Sequence, residues 1–177
     1  QGRMEWGPRA LGTRSILANP CNPNAKELLN TKVKHREKFR PFAPVVCEDD
    51  AQKYFECDVP IPSPTDFMLM VYPIKKEWHS IIPSVTHVDG SGRLQTIRKH
   101  QNHLYYELIK EFGKTSGTPI LINTSFNIRG EPIVCSPNDA YKCMMGTGID
   151  CLVIDKFLIK REDNPKHMWD SEKYAKD

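Results

Sequence analysis

Apolar and polar positions along the chain fall into short continuous runs and a few helical stripes. Ile16-Leu17-Ala18 reads as a brief strand, stopped by Asn19-Pro20-Cys21-Asn22-Pro23. Asn24 stands where a cap would open a helix from Ala25 to about Lys32, with Leu28 and Leu29 on its apolar side. Val45-Val46-Cys47 has the character of a buried strand, and Asp49 to Phe55 that of a short helix. The unbroken run Phe67-Met68-Leu69-Met70-Val71-Tyr72 is of strand length. Ile81 to Val88 leads into another strand that ends at the turn signal Asp89-Gly90-Ser91-Gly92. Arg93-Leu94-Gln95-Thr96-Ile97 then restarts extended structure, which predicts a hairpin.

The second half is more regular. Leu104, Tyr105, Leu108, Ile109 and Phe112 lie on one stripe of a helix over Asn102 to Gly113. Gly117-Thr118-Pro119 turns the chain into Ile120-Leu121-Ile122, a buried strand with Asn123-Thr124-Ser125 at its polar end. Ser136-Pro137 is a helix start, serine as cap and proline in the first turn, and that helix stops at Gly146-Thr147-Gly148. Cys151 to Ile154 is the last clear strand, extended or paired by Phe157-Leu158-Ile159. From Glu162 onward the chain is polar. Strands and helices mix without strict alternation, so the expected class is α/β, a twisted mixed sheet flanked by helices.

Composition narrows the picture modestly. The 177 residues suit one domain with a short tail, and 39% apolar with 27% charged residues is ordinary for a globular protein. A net charge of +3 argues for neither nucleic acid nor a membrane surface, although positive charge gathers between Lys26 and Arg40. No apolar run approaches the roughly 20 residues that cross a bilayer, and no signal peptide opens the chain. Gln1-Gly2-Arg3 lacks the start of a typical translation product and reads as a fragment or processed chain. Six scattered cysteines without a CxxC pair fit reduced, mostly buried thiols in a cytoplasmic protein.

Candidate chemistry sits beside turns and strand ends. Gly7-Pro8-Arg9-Ala10-Leu11-Gly12-Thr13-Arg14 pairs glycines, which let backbone approach a ligand, with arginines, whose planar fork matches phosphate oxygens. The alternative is a tight turn with solvated arginines. In an extended segment Lys34, Arg36, Lys38 and Arg40 share one face, where four like charges repel unless an anion sits among them. A solvated basic loop is the other reading. Ser125 and Asn127 share a face beyond a strand C-terminus, where open α/β sheets bind ligands, unless they only satisfy a local turn. Arg93, at the mouth of the expected hairpin, is a weaker candidate, and Arg98-Lys99-His100 reads as a solvated approach to the following helix. No G-x-S-x-G elbow, H-E-x-x-H helix or Walker loop is present. Cations and hydroxyls without an evident proton-transfer group suit chemistry in which positioning and charge neutralisation do most of the work.

Four motifs in order carry a resemblance. Gly2-Arg3-Met4-Glu5-Trp6-Gly7-Pro8-Arg9-Ala10-Leu11-Gly12-Thr13-Arg14-Ser15-Ile16-Leu17-Ala18 is the first, and Asn30-Thr31-Lys32-Val33-Lys34-His35-Arg36 leading to Phe39-Arg40-Pro41-Phe42-Ala43-Pro44 the second. His87-Val88-Asp89-Gly90-Ser91-Gly92-Arg93-Leu94-Gln95-Thr96 and Asn123-Thr124-Ser125-Phe126-Asn127 complete the set. Together they resemble the O-carbamoyltransferases of nodulation and antibiotic tailoring, the NodU/CmcH type. The resemblance implies that residues 1–160 form the C-terminal, YrdC-like half of such an enzyme, with 161–177 a polar tail. It implies an actin-like, ATP-binding N-terminal half as partner, missing from this chain and holding the family's metal, so no metal ligand is assigned here. ATP and carbamoyl phosphate are the implied substrates, carbamoyl-adenylate the activated form, and a sugar or antibiotic hydroxyl the acceptor. Lys34-x-Arg36 and Ser125-x-Asn127 match the Lys-x-Arg and Ser-x-Asn pairs of YrdC-like proteins. By that resemblance Arg9, Lys34, Arg36, Arg40, Arg93, Ser125 and Asn127 bind carbamoyl phosphate or adenylate, with Lys34, Arg40 and Ser125 closest to the chemistry. Rival readings are a (threonyl)carbamoyl-adenylate synthase of tRNA modification, and an anion- or RNA-binding module using the Lys26 to Arg40 region.

Overall fold

The computed structural model describes residues 1–165. Four strands form the central sheet in the order β1 (Ser15–Ala18), β6 (Ile120–Ser125), β2 (Ala43–Cys47), β5 (Gln95–Ile97). β1 and β2 flank β6 antiparallel, while β5 runs parallel to β2, so the expected mixed sheet is what forms. The register sets Ser15 opposite Ser125 and Ala43 opposite Asn123. Alternation then divides the sheet into two buried faces. Val45, Cys47, Ile97 and Leu121 pack under α3 (His103–Ser116) with Tyr105 and Ile109. Ile16, Val46, Ile120 and Ile122 face the larger core, shared with Leu29 of α1 (Ala25–Lys32), Tyr54 of α2 (Ala51–Tyr54) and Met144 of α4 (Pro137–Met145).

Local rules explain the helix ends. Asn102 Oδ1 accepts from Tyr105 N–H at the start of α3, and Gly117, in the left-handed region, closes it. Ser136 and Asp139 form a reciprocal capping box ahead of Pro137 at the start of α4. Asn24 makes no side-chain cap; ahead of it Asn22 Oδ1 accepts from Asn24 N–H in a turn that leads into the helix. Leu28, Leu104 and Leu108 are exposed, so the apolar stripes of α1 and α3 are narrower than their spacing predicts.

The middle of the chain departs most from expectation. The run from Phe67 to Tyr72 is not a buried strand: Ser63–Phe67 is a 3₁₀ turn, Met68 is left-handed, and Leu69 and Val71 face solvent. Asp66 explains this, because Thr96, Arg98 and Gln101 all donate to its carboxylate and pull the segment against β5. Ile81 to Val88 is likewise a set of turns, burying Ile82 and Val85 three residues apart. The expected hairpin with Arg93–Ile97 is therefore absent. Instead β3 (Tyr72–Pro73) pairs with β4 (Ser91–Gly92), and β5 joins the central sheet. Near the end, β7 (Cys151–Ile154) and β8 (Phe157–Lys160) form a separate hairpin beside α4. A 3₁₀ turn at Arg161–Asp163 begins the polar tail; residues 166–177 lie outside the described residues. No helix among the described residues is long and apolar enough to cross a membrane.

Candidate anion-binding site

The Lys34 to Arg40 segment is not extended. After α1 the chain folds back: Lys34 N–H bonds Leu29 O, Arg36 N–H bonds Asn30 O, and His35 between them has φ +44°. This breaks the alternation that would place four cations on one face. Lys38 instead pairs with Glu27 on the surface, and Arg40 with Glu37 at 3.0 Å, both exposed.

Lys34 turns inward and is 6% exposed. Its ammonium donates to Ser125 O at 2.5 Å, Ser125 Oγ at 3.2 Å, Asn127 O at 3.0 Å and Asn127 Oδ1 at 2.9 Å. Four oxygens surround a group with three N–H bonds, so every donor is engaged. Ser125 Oγ donates to Asn127 Oδ1 at 2.7 Å, and Asn127 Nδ2 to Glu131 O at 2.8 Å. The turn that follows β6 is thereby wrapped around the Lys34 ammonium. Burial, and then the neighbouring Arg36 charge, lower the Lys34 pKa to about 8.

Arg36 is fixed from two sides. Its Nε donates to Asn30 Oδ1 at 2.7 Å, and its guanidinium lies 4.8 Å above the Phe42 ring centroid. Asn30 is fully buried near the end of α1 and also donates to the carbonyls of Lys38 and Arg40, holding the basic loop in place. Burial lowers the Arg36 pKa first, followed by repulsion from Arg40 and Arg93.

Arg9 arrives from the glycine-rich opening segment. Ala10 O accepts from Gln95 Nε2 at 3.2 Å and from Asn123 Nδ2 at 2.9 Å, which pins the backbone next to Arg9 onto the sheet. Arg93 lies between β4 and β5, not at a hairpin mouth, and burial, then Arg9, lower its pKa. The Nε atoms of Arg9 and Arg93 are buried without a hydrogen-bond partner.

Two cavities share a wall made of Arg36, Arg40, Thr124 and Ser125. The smaller, about 260 Å³, adds Lys34, Glu37, Asn127 and Arg129; the larger, about 410 Å³, adds Arg9, Arg93, Phe42, Met68 and Asn123. Four guanidinium groups line the larger cavity, and no carboxylate does. Such a field concentrates anions. All seven residues singled out from sequence border one or both cavities: Arg9 and Arg93 the larger, Lys34 and Asn127 the smaller, Arg36, Arg40 and Ser125 both.

Sequence reading missed several supports. Asn30, Gln95 and Asn123 orient the cationic segments through buried amides, and a buried amide in an apolar run gives little local signal. Arg98 is not solvated: it pairs with Glu48 at 2.6 Å and Asp66 at 2.5 Å, away from the cavities. All six cysteines are free, but only Cys47 and Cys143 are buried, and Cys135 and Cys151 are exposed. Among the described residues no group of three or more His, Cys, Asp or Glu is placed to hold a metal ion.

The family described as carbamoyltransferase C-terminus matches residues 1–161. This chain belongs to that family. A nodulation protein NolNO of Sinorhizobium fredii is 45% identical over 96% of this chain. An uncharacterized protein of Synechocystis sp. is 42% identical over 96%, and nodulation protein U of Rhizobium tropici 46% over 82%. The chain spans only 24–30% of the length of these three relatives. As a carbamoyltransferase C-terminal domain it corresponds to a minor part of much longer proteins.

Proposed function

We propose that this carbamoyltransferase C-terminal domain grips carbamoyl phosphate and prepares its carbamoyl group for ATP-dependent transfer to an acceptor hydroxyl, within a longer enzyme. One observation carries the reading: Arg9, Arg36, Arg40 and Arg93 converge on one cavity free of carboxylates. Arg9 and Arg93 each keep a buried Nε without an acceptor, like charges in a partly buried cleft repel one another, and a small polyanion removes that repulsion.

The chain's own residues then divide the work. Arg9 and Arg93 neutralise phosphate oxygens through unengaged donors. Arg36, held by Asn30 and Phe42, reaches either cavity from a fixed position. Lys34 acts through Ser125 and Asn127, holding their turn at the junction of the two cavities. Two adjoining cavities suit two phosphorylated substrates, carbamoyl phosphate and ATP, with the activated group formed at the shared wall. ATP would supply the adenylyl group of a carbamoyl-adenylate and release pyrophosphate, while carbamoyl phosphate gives up its phosphoryl group as inorganic phosphate, and the resemblance to YrdC-like domains belongs to this same proposal. The partner half would be an actin-like domain carrying the acceptor site and any metal.

The RNA-binding reading fares worse. Lys34 is buried, while Lys38 and Arg40 are paired with glutamates, so the basic segment offers no continuous stripe for a phosphate backbone. Calorimetric titration with carbamoyl phosphate, with inorganic phosphate as control, tests the proposal. Saturable binding of carbamoyl phosphate, tighter than phosphate and lost in Arg93→Gln, is the expected result. Heat from phosphate alone would reduce the site to a generic anion pocket. The adenylation step is tested by pyrophosphate release from ATP that depends on carbamoyl phosphate.

A further inference from the structure

The larger cavity holds one group of opposite character to its arginines. Gln95 is 1% exposed, and its Nε2 donates to two backbone carbonyls, Ala10 O and Asp66 O, each at 3.2 Å. Two acceptors on that side fix the amide, so Gln95 Oε1 must face Asn123, whose Nδ2 lies 2.6 Å away. Asn123 Nδ2 also donates to Ala10 O at 2.9 Å. Both amide protons of Asn123 are used, and a flipped amide would set oxygen against oxygen at both contacts. Asn123 Oδ1 is left over. It is buried without a partner, in a residue that is 1% exposed and lines the larger cavity.

A buried amide oxygen without a donor is costly, and native structures rarely leave one unless a ligand or water completes it. The charged side chains on that wall, Arg9, Arg36, Arg40 and Arg93, are cations that only donate, and Thr124 and Ser125 add hydroxyls. A bare phosphate or an acyl phosphate without N–H would satisfy those cations and leave the acceptor empty. A ligand with an anion at one end and an N–H₂ group at the other satisfies both. Carbamoyl phosphate is such a molecule.

We propose that Asn123 is a specificity-determining residue that reads the carbamoyl amine, its Oδ1 accepting a hydrogen bond from the ligand N–H₂ while Arg9 and Arg93 hold the phosphate. This rests on the carbamoyl phosphate reading and adds to it the discrimination against other acyl phosphates. Gln95 is the positioning residue behind it, because its fixed amide sets which way Asn123 points.

The test compares two stable phosphonates on the 177-residue chain by calorimetry. Phosphonoacetamide carries the amide; phosphonoacetone replaces its N–H₂ by a methyl group of similar size. The wild-type chain should prefer the amide by about tenfold, the worth of one buried hydrogen bond. Asn123→Ala should bind the two equally, even where losing its contact to Ala10 O beside Arg9 weakens both along with inorganic phosphate. An unchanged preference in Asn123→Ala overturns the proposal. If that variant does not fold, the wild-type comparison decides, and equal affinity for amide and ketone overturns it. Failure of carbamoyl phosphate itself to bind the wild-type chain is a separate result, and it removes the functional reading together with this one.

Discussion

Arg9 and Arg93 line one cavity, each with a buried Nε that has no acceptor, and the charge of Arg9 adds to burial in lowering the Arg93 pKa. Two mutually repelling guanidinium groups do not stabilise a fold. Replacing either with glutamine should therefore cut anion affinity at least about tenfold while leaving the melting temperature unchanged or slightly raised. Thermal unfolding of Arg9→Gln and Arg93→Gln beside phosphate titrations checks both halves. Loss of stability together with affinity would mean that the arginines hold the structure rather than a ligand.

Lys34 gives the site a pH dependence. Its folded pKa, about 8, lies below the ordinary lysine value because burial disfavours the charged form. Between about pH 8 and about pH 10 the unfolded chain binds more protons than the folded one, so this group makes stability rise with pH there. Below about pH 8 the cost of burying the ammonium is present in full. Anion affinity runs the other way, because the positive charge beside Ser125 is lost as pH rises through about 8. Sulfate, fully ionised across this range, should bind about three- to tenfold more weakly at about pH 9.5 than at about pH 7. Lys34→Gln should flatten that dependence; an unaltered slope in the variant would assign it to another group.

Gly12 holds the segment that delivers Arg9. Its φ is +110°, and a Cβ there would collide with the buried ring of Tyr105. Gly12→Ala combines backbone strain with overpacking and should destabilise the chain by about 2 kcal/mol or more. Chemical denaturation measures this. Tyr105→Ala in the same chain should not restore stability, since the strained φ remains.

The cysteines should differ sharply in reactivity. Burial pushes the thiols of Cys47 and Cys143 up to about 12, whereas Cys135 and Cys151 are exposed. Iodoacetamide at neutral pH, read by mass spectrometry, should label Cys135 and Cys151 in the native chain. Cys47 and Cys143 should label only after unfolding. Early labelling of Cys143 would show that the packing between α4 and Lys34 opens readily.

Arg98 anchors the segment that defied its hydrophobic pattern. Its ion pairs to Glu48 and Asp66 are partly buried, and Asp66 is nearly inaccessible. Arg98→Ala leaves that carboxylate without its cation and should cost about 2 kcal/mol. Urea unfolding reports the loss, and phosphate affinity should hardly change because none of these three residues lines either cavity.

Sequence alone specified the elements whose local rules agree with their surroundings. The Ser136-Pro137 start of α4, the stripe through Tyr105 and Ile109, and the Ile120 to Ile122 strand were all readable, because caps and periodicity act within a few residues. The family resemblance also pointed to every arginine of the larger cavity, whereas their local chemistry alone left solvated arginines as the alternative. Tertiary structure decided the rest. Phe67 to Tyr72 has strand composition, yet Asp66 is drawn to Thr96, Arg98 and Gln101, partners distant in sequence. The basic segment reads as an evenly charged edge, yet the fold-back at His35 buries Lys34 against Ser125 and Asn127 and sends Lys38 out to Glu27. Which cations keep free donors is settled only when the acceptors have been assigned in space. A sequence lists donors and acceptors, but their pairing depends on distance and orientation, and those arise from packing the whole sheet.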